Sequence, residues 1–297
     1  MNKLLIFGVG LIGGSVALAL KKAHFVSHIV GVGRNQLGLE KALQIGAIDS
    51  ICDMQKANVH NNSSLVKTIA DTDMILIAAP VAQTKSILQS IQPHLQLQTV
   101  ITDAGSTKCD VLACAREILG AQFKQFVGGH PIAGAEKSGV AASTANLFIG
   151  KNVVLTPTAE TNKHALDSVM QLWQACGANV SEMTAENHDA IFAAVSHLPH
   201  LLAFALVDEI AKRPNAKELF SFAASGFRDF TRIAGSHPEM WRDISLANKT
   251  ALLSELSAYQ LELNILKILL ENEDGQGLQA LFERASVARN NWANEKK

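Results

Sequence analysis

The run Leu4-Leu5-Ile6-Phe7-Gly8-Val9-Gly10-Leu11-Ile12-Gly13-Gly14-Ser15 constrains this chain more than any other stretch, because an apolar strand enters a G-x-G-x-x-G turn and leaves it as a helix. The three glycines have separate uses. Gly8 permits the tight turn, Gly10 keeps a side chain away from a pyrophosphate approached by backbone N–H groups, and Gly13 lets helix and strand pack closely. An anion suits the helix N-terminus, where unpaired amides and the positive end of the dipole converge. With Leu11 and Ile12 inside the turn, the expected cofactor-binding set begins Gly8, Gly10, Leu11, Ile12 and Gly13. A second strand at Ile29–Val32 completes a βαβ unit, the context that separates a dinucleotide site from an ordinary glycine-rich turn.

A chain of 297 residues is long for one hydrophobic core, so two domains are expected. Its 26 Lys plus Arg offset 27 Asp plus Glu, which leaves no global field to support nucleic-acid or membrane-surface binding. Cys52, Cys109, Cys114 and Cys176 form no C-x-x-C pair and have no metal-ligand spacing with histidine, so reduced structural thiols and no metal are expected. No uninterrupted apolar run reaches membrane-spanning length and no signal region precedes the first strand. Both point to a cytoplasmic protein.

The tip of the second strand, Val32-Gly33-Arg34-Asn35, bears on cofactor choice. NAD sites place a carboxylate there for the ribose hydroxyls, whereas an arginine accommodates the 2′-phosphate of NADP. Arg34 therefore favours NADP over NAD. Further along, Met74-Ile75-Leu76-Ile77-Ala78-Ala79-Pro80 reads as a parallel strand buried on both faces and ended by Pro80. Strand Val100–Thr102 leads into Asp103-Ala104-Gly105-Ser106-Thr107-Lys108. Residues beyond the carboxyl ends of such strands face the ligand crevice, which places Pro80 and Ser106 near the cofactor. Ser106 also reads as a helix N-cap, a role Thr107 or Asp103 can share. In Phe126-Val127-Gly128-Gly129-His130-Pro131 a histidine bracketed by glycines and a proline ends a short strand, a position suited to chemistry rather than to a core.

Beyond Thr184 the pattern is helical throughout. The first domain is expected over residues 1–183 and the second over 184–297. A first helical stretch, Glu186 to Ser196, meets His197-Leu198-Pro199-His200, and Pro199 must interrupt a backbone hydrogen bond there. His197 and His200 are three apart and can share a face. In Gly226-Phe227-Arg228-Asp229-Phe230-Thr231-Arg232, the arginines Arg228 and Arg232 are four apart, and Phe227, Phe230 and Trp241 are expected to bury the segment. A long helix from Ile244 to about Leu270 repeats Leu253, Leu256, Leu263 and Leu266, too apolar a pattern to stand in water on all sides. The polar tail from Asn290 is expected to fray.

Five blocks in order resemble the prephenate/arogenate dehydrogenase family of tyrosine biosynthesis. They are the glycine turn, Asp103-Ala104-Gly105-Ser106-Thr107-Lys108, Gly129-His130-Pro131-Ile132-Ala133-Gly134-Ala135-Glu136-Lys137-Ser138-Gly139, Val195-Ser196-His197-Leu198-Pro199-His200 and Phe227-Arg228-Asp229-Phe230-Thr231-Arg232-Ile233-Ala234. The resemblance implies an α/β Rossmann-type dinucleotide-binding domain followed by an all-helical dimerisation domain, hence a homodimer. It also implies NAD- or NADP-dependent oxidative decarboxylation of prephenate or arogenate. Carried over by residue, it makes His130 the group that polarises the ring hydroxyl, with Ser106 beside it and the nicotinamide. His200 and Arg232 face the substrate together with His197 and Arg228, and Glu136 lies at the mouth of the site. Gly33-Arg34 departs from the acidic residue of NAD-using relatives.

The residues agree with that chemistry, which needs a base for the hydroxyl proton, a cation for a carboxylate and an oriented cofactor. Two rival readings share the first domain: a β-hydroxyacid or imine reductase, and a non-catalytic dinucleotide sensor. The His130 block combined with Arg232 separates the dehydrogenase from the reductase, and the presence of all five blocks argues against the sensor.

Overall fold

The computed structural model describes residues 1–52, 63–134 and 139–295. Strand β1 (Lys3–Phe7) is apolar on both faces because both are covered. Leu4 and Ile6 enter one buried cluster and Leu5 and Phe7 the other, one on each side of the sheet. The remaining strands are β2 (His28–Val32), β3 (Ser50–Ile51), β4 (Met74–Ile77), β5 (Val100–Asp103), β6 (Phe126–Pro131), β7 (Asn152–Thr156) and β8 (Asn179–Glu182). They form one sheet in the order β3-β2-β1-β4-β5-β6-β7-β8. All neighbours pair in parallel except β6 and β7, which run antiparallel with His130 opposite Val154.

The strand order reverses between β1 and β4, and ligands of open α/β sheets bind outside the carboxyl ends of strands at such a switch point. Successive strand ends are tied along that edge: Gly8 N donates to Val32 O at 2.8 Å, Ala78 N to Phe7 O at 2.7 Å and Ala104 N to Ile77 O at 2.9 Å. Pro80 and Ser106 therefore follow strands on this one edge, and His130 lies within β6, next to its last residue.

The helices of this part are α1 (Leu11–Lys22), α2 (Gln36–Gln44), α3 (Ser63–Ala70), α4 (Thr84–Ile91), α5 (Cys109–Leu119) and α6 (Lys163–Ala175). Helix α1 starts at Leu11, directly on the glycine turn, with Gly14 N bonded to Gly10 O at 2.9 Å. After β8 come α7 (Ala185–Phe192), a π turn over Ala193–His197, α8 (Leu198–Ala211), α9 (Ala216–Ser221), α10 (Ser225–Thr231), α11 (Pro238–Ala247), α12 (Lys249–Glu271) and α13 (Gly275–Glu295). Contacts divide the chain into two units, Met1–Lys249 and Thr250–Lys297.

Three expectations are corrected here. The helix read as continuous from Ile244 is broken at Asn248, whose side-chain amide donates to Asp189 O at 2.7 Å and so replaces helical continuity with a tertiary bond. The tail beyond Asn290 is helical to Glu295, with the Arg289 guanidinium 4.7 Å over the Trp292 ring. Residues Ala185–Ala211 form a single helical run, long and apolar enough by length and composition to cross a membrane. The sequence reading divided it at Pro199. That proline sits in the first turn of α8, after a π turn that absorbs the missing donor. The run carries His188, Asp189 and His197 buried within the first unit.

Candidate active site

The glycine turn has the form a dinucleotide requires. Gly8 has φ +90°, and a Cβ there would come within 2.7 Å of the Ala78 carbonyl, where the turns after β1 and β4 meet. A Cβ on Gly13 would overlap the Gly8 carbonyl oxygen, so helix and turn are in close contact. A Cβ on Gly10 meets nothing within 4 Å and would project into the cradle itself. Helix α1 has no side-chain cap and no acidic residue in its first turn, which leaves the first-turn amides, at Leu11, Ile12 and Gly13, for an anion. The cradle therefore fits a dinucleotide pyrophosphate. At the end of β2, Arg34 is exposed and Asn35 is engaged in capping α2, its Oδ1 accepting from Gly38 N at 3.0 Å. Pro80 is exposed just beyond β4.

The next two strands along the edge carry the polar groups. Lys108 is 0% exposed; its Nζ bonds Asp103 Oδ2 and donates to Gly129 O at 2.8 Å. Asp103 Oδ1 accepts from Gly129 N at 3.0 Å, and Oδ2 from Gly105 N at 2.8 Å. Both backbone groups of Gly129 are thus held by one buried ion pair, which fixes the residue that precedes His130. Leaving either charge unpaired in such surroundings costs about 3–5 kcal/mol.

His130 is partly buried, and its Nδ1 lies 2.8 Å from His188 Nε2. His188 Nδ1 lies 2.8 Å from Asp189 Oδ1. The Phe192 ring packs against both imidazoles, at 4.7 and 4.5 Å between centroids. Burial, then the neighbouring His188, Lys108 and His197, holds the His130 pKa well below the ordinary 6.5. Its imidazole is neutral at neutral pH, the form that can accept a proton.

Asp189 also caps α5, accepting from Lys108 N at 2.8 Å and Cys109 N at 2.9 Å. This corrects the reading of Ser106, Thr107 or Asp103 as the N-cap, since the cap comes from α7, some eighty residues along the chain. Ser106 is half-buried in the turn before α5, its backbone against His197. His197 is 1% exposed and pushed down to about 4, chiefly by burial. Asn248 Nδ2 donates to its Nδ1 at 3.1 Å, so Nε2 carries the hydrogen, yet Nε2 has no well-formed hydrogen bond despite the adjacent Ser106 backbone. His200 donates from Nδ1 to Ser196 O at 2.8 Å and stacks on Trp241 at 3.6 Å, which leaves its Nε2 lone pair free of that bond. Burial, opposed by the Ser196 bond and aided by the charge of Arg232, lowers its pKa.

That electrostatic link brings Arg232 to the His200–Trp241 pair. Arg232 and Arg228 are nonetheless exposed, no residue of α10 is buried and Phe230 is 51% exposed, so Phe227, Phe230 and Trp241 do not enclose the segment as expected. Helix α10 has seven residues, too few to lay an apolar stripe on the core. Glu136 lies outside the described residues.

The sequence reading missed His188, Asp189 and Asn248, and gave Lys108 no role. A signal existed for the first two: a His-Asp pair stands immediately before the apolar stretch that begins Ala190-Ile191-Phe192.

Comparison with known proteins agrees with this geometry. Residues 16–182 match the family model for the prephenate dehydrogenase nucleotide-binding domain, and residues 184–284 match that for the prephenate dehydrogenase dimerization domain. The chain is 38% identical to the prephenate dehydrogenase of Bacillus subtilis over 97% of its own length and 75% of the relative's. It resembles the crystal structure of prephenate dehydrogenase from A. aeolicus in complex with hydroxyphenyl propionate and NAD+, with TM-score 0.89, 38% identity and 98% of each chain covered. It also resembles Synechocystis arogenate dehydrogenase, with TM-score 0.79, 28% identity and coverage of 98% and 99%. A nucleotide cradle and a neutral imidazole on one sheet edge, in a chain matched by both family models, lead to one conclusion: the chain belongs to the prephenate/arogenate dehydrogenase family, NAD(P)-dependent oxidoreductases that carry out oxidative decarboxylation in tyrosine biosynthesis.

Proposed function

We propose that this enzyme acts on prephenate, arogenate or both, with His130 as the proton acceptor and Arg232 as the carboxylate partner. A bound nicotinamide dinucleotide supplies the hydride acceptor. As the ring C–H bond is broken, His130 takes the proton of the ring hydroxyl at Nε2. Arg232 holds a substrate carboxylate in forked geometry. The carboxylate C–C bond then breaks, CO2 departs, and its electron pair restores the aromatic ring. His200, through its Nε2, and the buried Nε2–H of His197 orient the substrate with Ser106. Arg228, one turn from Arg232, adds positive potential.

The observation that carries this reading is the neutral, doubly fixed His130 on the same sheet edge as the Gly10 cradle. Absence of a carboxylate at Gly33-Arg34-Asn35, with a cation in its place, supports NADP over NAD. We also propose a homodimer formed through α12, which exposes Leu253, Leu261, Leu263, Ile265, Ile268 and Leu270 along one helix of the second unit. Steady-state kinetics with prephenate and arogenate, each crossed with NAD+ and NADP+, tests the reading. Reduction of cofactor matched by CO2 release is expected with at least one pair, and no turnover with any pair would overturn it.

A further inference from the structure

The polar atoms behind His130 leave one consistent placement of protons. Asp189 accepts from Lys108 N, Cys109 N and His188. Burial opposes ionisation of its carboxyl, but those hydrogen bonds outweigh it and hold the pKa below the ordinary carboxylate value. An ionised carboxylate has no proton to give, so Nδ1 of His188 carries the hydrogen. His188 is fully buried and its own pKa is lowered by that burial, so it is neutral and its Nε2 bears only a lone pair. That lone pair lies 2.8 Å from Nδ1 of His130, which must therefore be the donor. The other nitrogen of His130, Nε2, is left as a proton acceptor.

We propose that Asp189 and His188 are positioning residues that lock His130 into the Nδ1–H tautomer, so that its Nε2 is the atom that receives the substrate's hydroxyl proton. This inference rests on His130 being the proton acceptor, as argued above. The lock assists the reaction as well as orienting the ring. When a proton arrives at Nε2, the Nδ1–H···Nε2 bond to His188 becomes charge-assisted, with the Asp189 carboxylate behind it. The interaction is then stronger in the protonated state than at rest, as rate enhancement requires. Among the described residues, the other charged or titratable groups that act on His130 are Lys108, before α5, and His197, in the π turn. Both disfavour protonation at rest and keep the base free, and neither occupies Nδ1. No metal or bound group is needed to fix the tautomer, because the ionised Asp189 sets its direction through a chain of two hydrogen bonds. The unbroken helical run from Ala185 through the π turn gives the arrangement its rigidity, since His188 and Asp189 are consecutive residues of α7 and Phe192 follows about one turn after His188.

Long-range 1H–15N correlation NMR on the substrate-free protein labelled at histidine nitrogen reads the tautomer directly. Protonated Nδ1 and unprotonated Nε2 are expected for His130, and protonated Nδ1 for His188. An Nε2–H His130 would overturn the proposal. In kinetics, His188→Leu removes the acceptor and is expected to lower kcat about 10–100-fold while KM moves less than about threefold. His188→Gln can present Oε1 to the same Nδ1–H and is expected to recover most of that loss. Equal losses in the two variants, with the wild-type tautomer retained in His188→Leu, would make His188 structural and overturn the proposal. If His188→Leu does not fold, the wild-type spectrum still decides. The base assignment is tested separately, because full turnover by His130→Ala beside an Nδ1–H His130 would refute that assignment and leave the tautomer lock standing.

Discussion

Lowering the pH should destabilise this protein through His197 in a defined window. His197 is 1% exposed and its pKa falls from 6.5 to about 4 on folding, chiefly because burial penalises the imidazolium. Between those values the unfolded chain binds the proton and the folded chain does not, so stability is fully present above pH 6.5 and is lost as the pH falls toward 4. At about 1.4 kcal/mol for each tenfold change in proton affinity, the fall from 6.5 to about 4 gives about 3 kcal/mol over the whole window, of which about 2 kcal/mol is lost by pH 5. His188, His130 and His200 are shifted in the same direction and steepen the total, so the His197 share must be isolated by substitution. In His197→Asn, Oδ1 can accept from Asn248 Nδ2 in place of the imidazole Nδ1, and nothing at the position titrates. Urea unfolding of both proteins at pH 7.5 and 5.0, at one protein concentration, should show the variant losing about 2 kcal/mol less than wild type over that interval. Equal losses would refute the argument, because they would mean that His197 is accessible to protons when folded.

Arg34→Ala is expected to weaken NADP+ about tenfold or more and to spare NAD+, since a charge-assisted contact is worth about 1.5–3 kcal/mol; equal losses in binding titrations would remove Arg34 from cofactor choice. Arg232→Ala should cost about 2–4 kcal/mol in kcat/KM, mainly as raised KM, and Arg232→Lys should already be impaired because a point charge does not reproduce the fork. An unchanged KM would pass the carboxylate to Arg228 or His200. Sedimentation at micromolar concentration is expected to show a dimer, and a compact monomer there would refute assembly through α12.

The fold was legible where local sequence carries its own physics. The βαβ entry could be read because Gly8 and Gly13 each answer a separate steric demand, and β4 because Met74-Ile75-Leu76-Ile77 is apolar on both faces. His130 could be read because a glycine-flanked histidine at a strand end has no place in a core. What stayed hidden depends on partners distant in sequence. The α5 cap comes from Asp189, the break at Asn248 serves Asp189 O and His197, and the charge on Lys108 is buried against Asp103 and Gly129 O. No periodicity records such bonds. The antiparallel turn from β6 to β7 was hidden likewise, since strand direction is set by the chain's path and not by the strand's composition. Arg232 was misjudged for the opposite reason: aromatic neighbours in sequence suggested enclosure, and the short α10 leaves it exposed.

The central claim is that His130, held neutral by burial and aimed by His188, is the proton acceptor in an NAD(P)-dependent oxidative decarboxylation. Steady-state kinetics of His130→Ala beside wild type, with the preferred substrate and cofactor and with cofactor affinity measured in parallel, tests it most directly. The account predicts a fall in kcat of about two to four decades, unchanged cofactor binding, and a wild-type acid limb well below pH 6.5 that disappears in the variant. Wild-type turnover in His130→Ala with the same acid limb would contradict it.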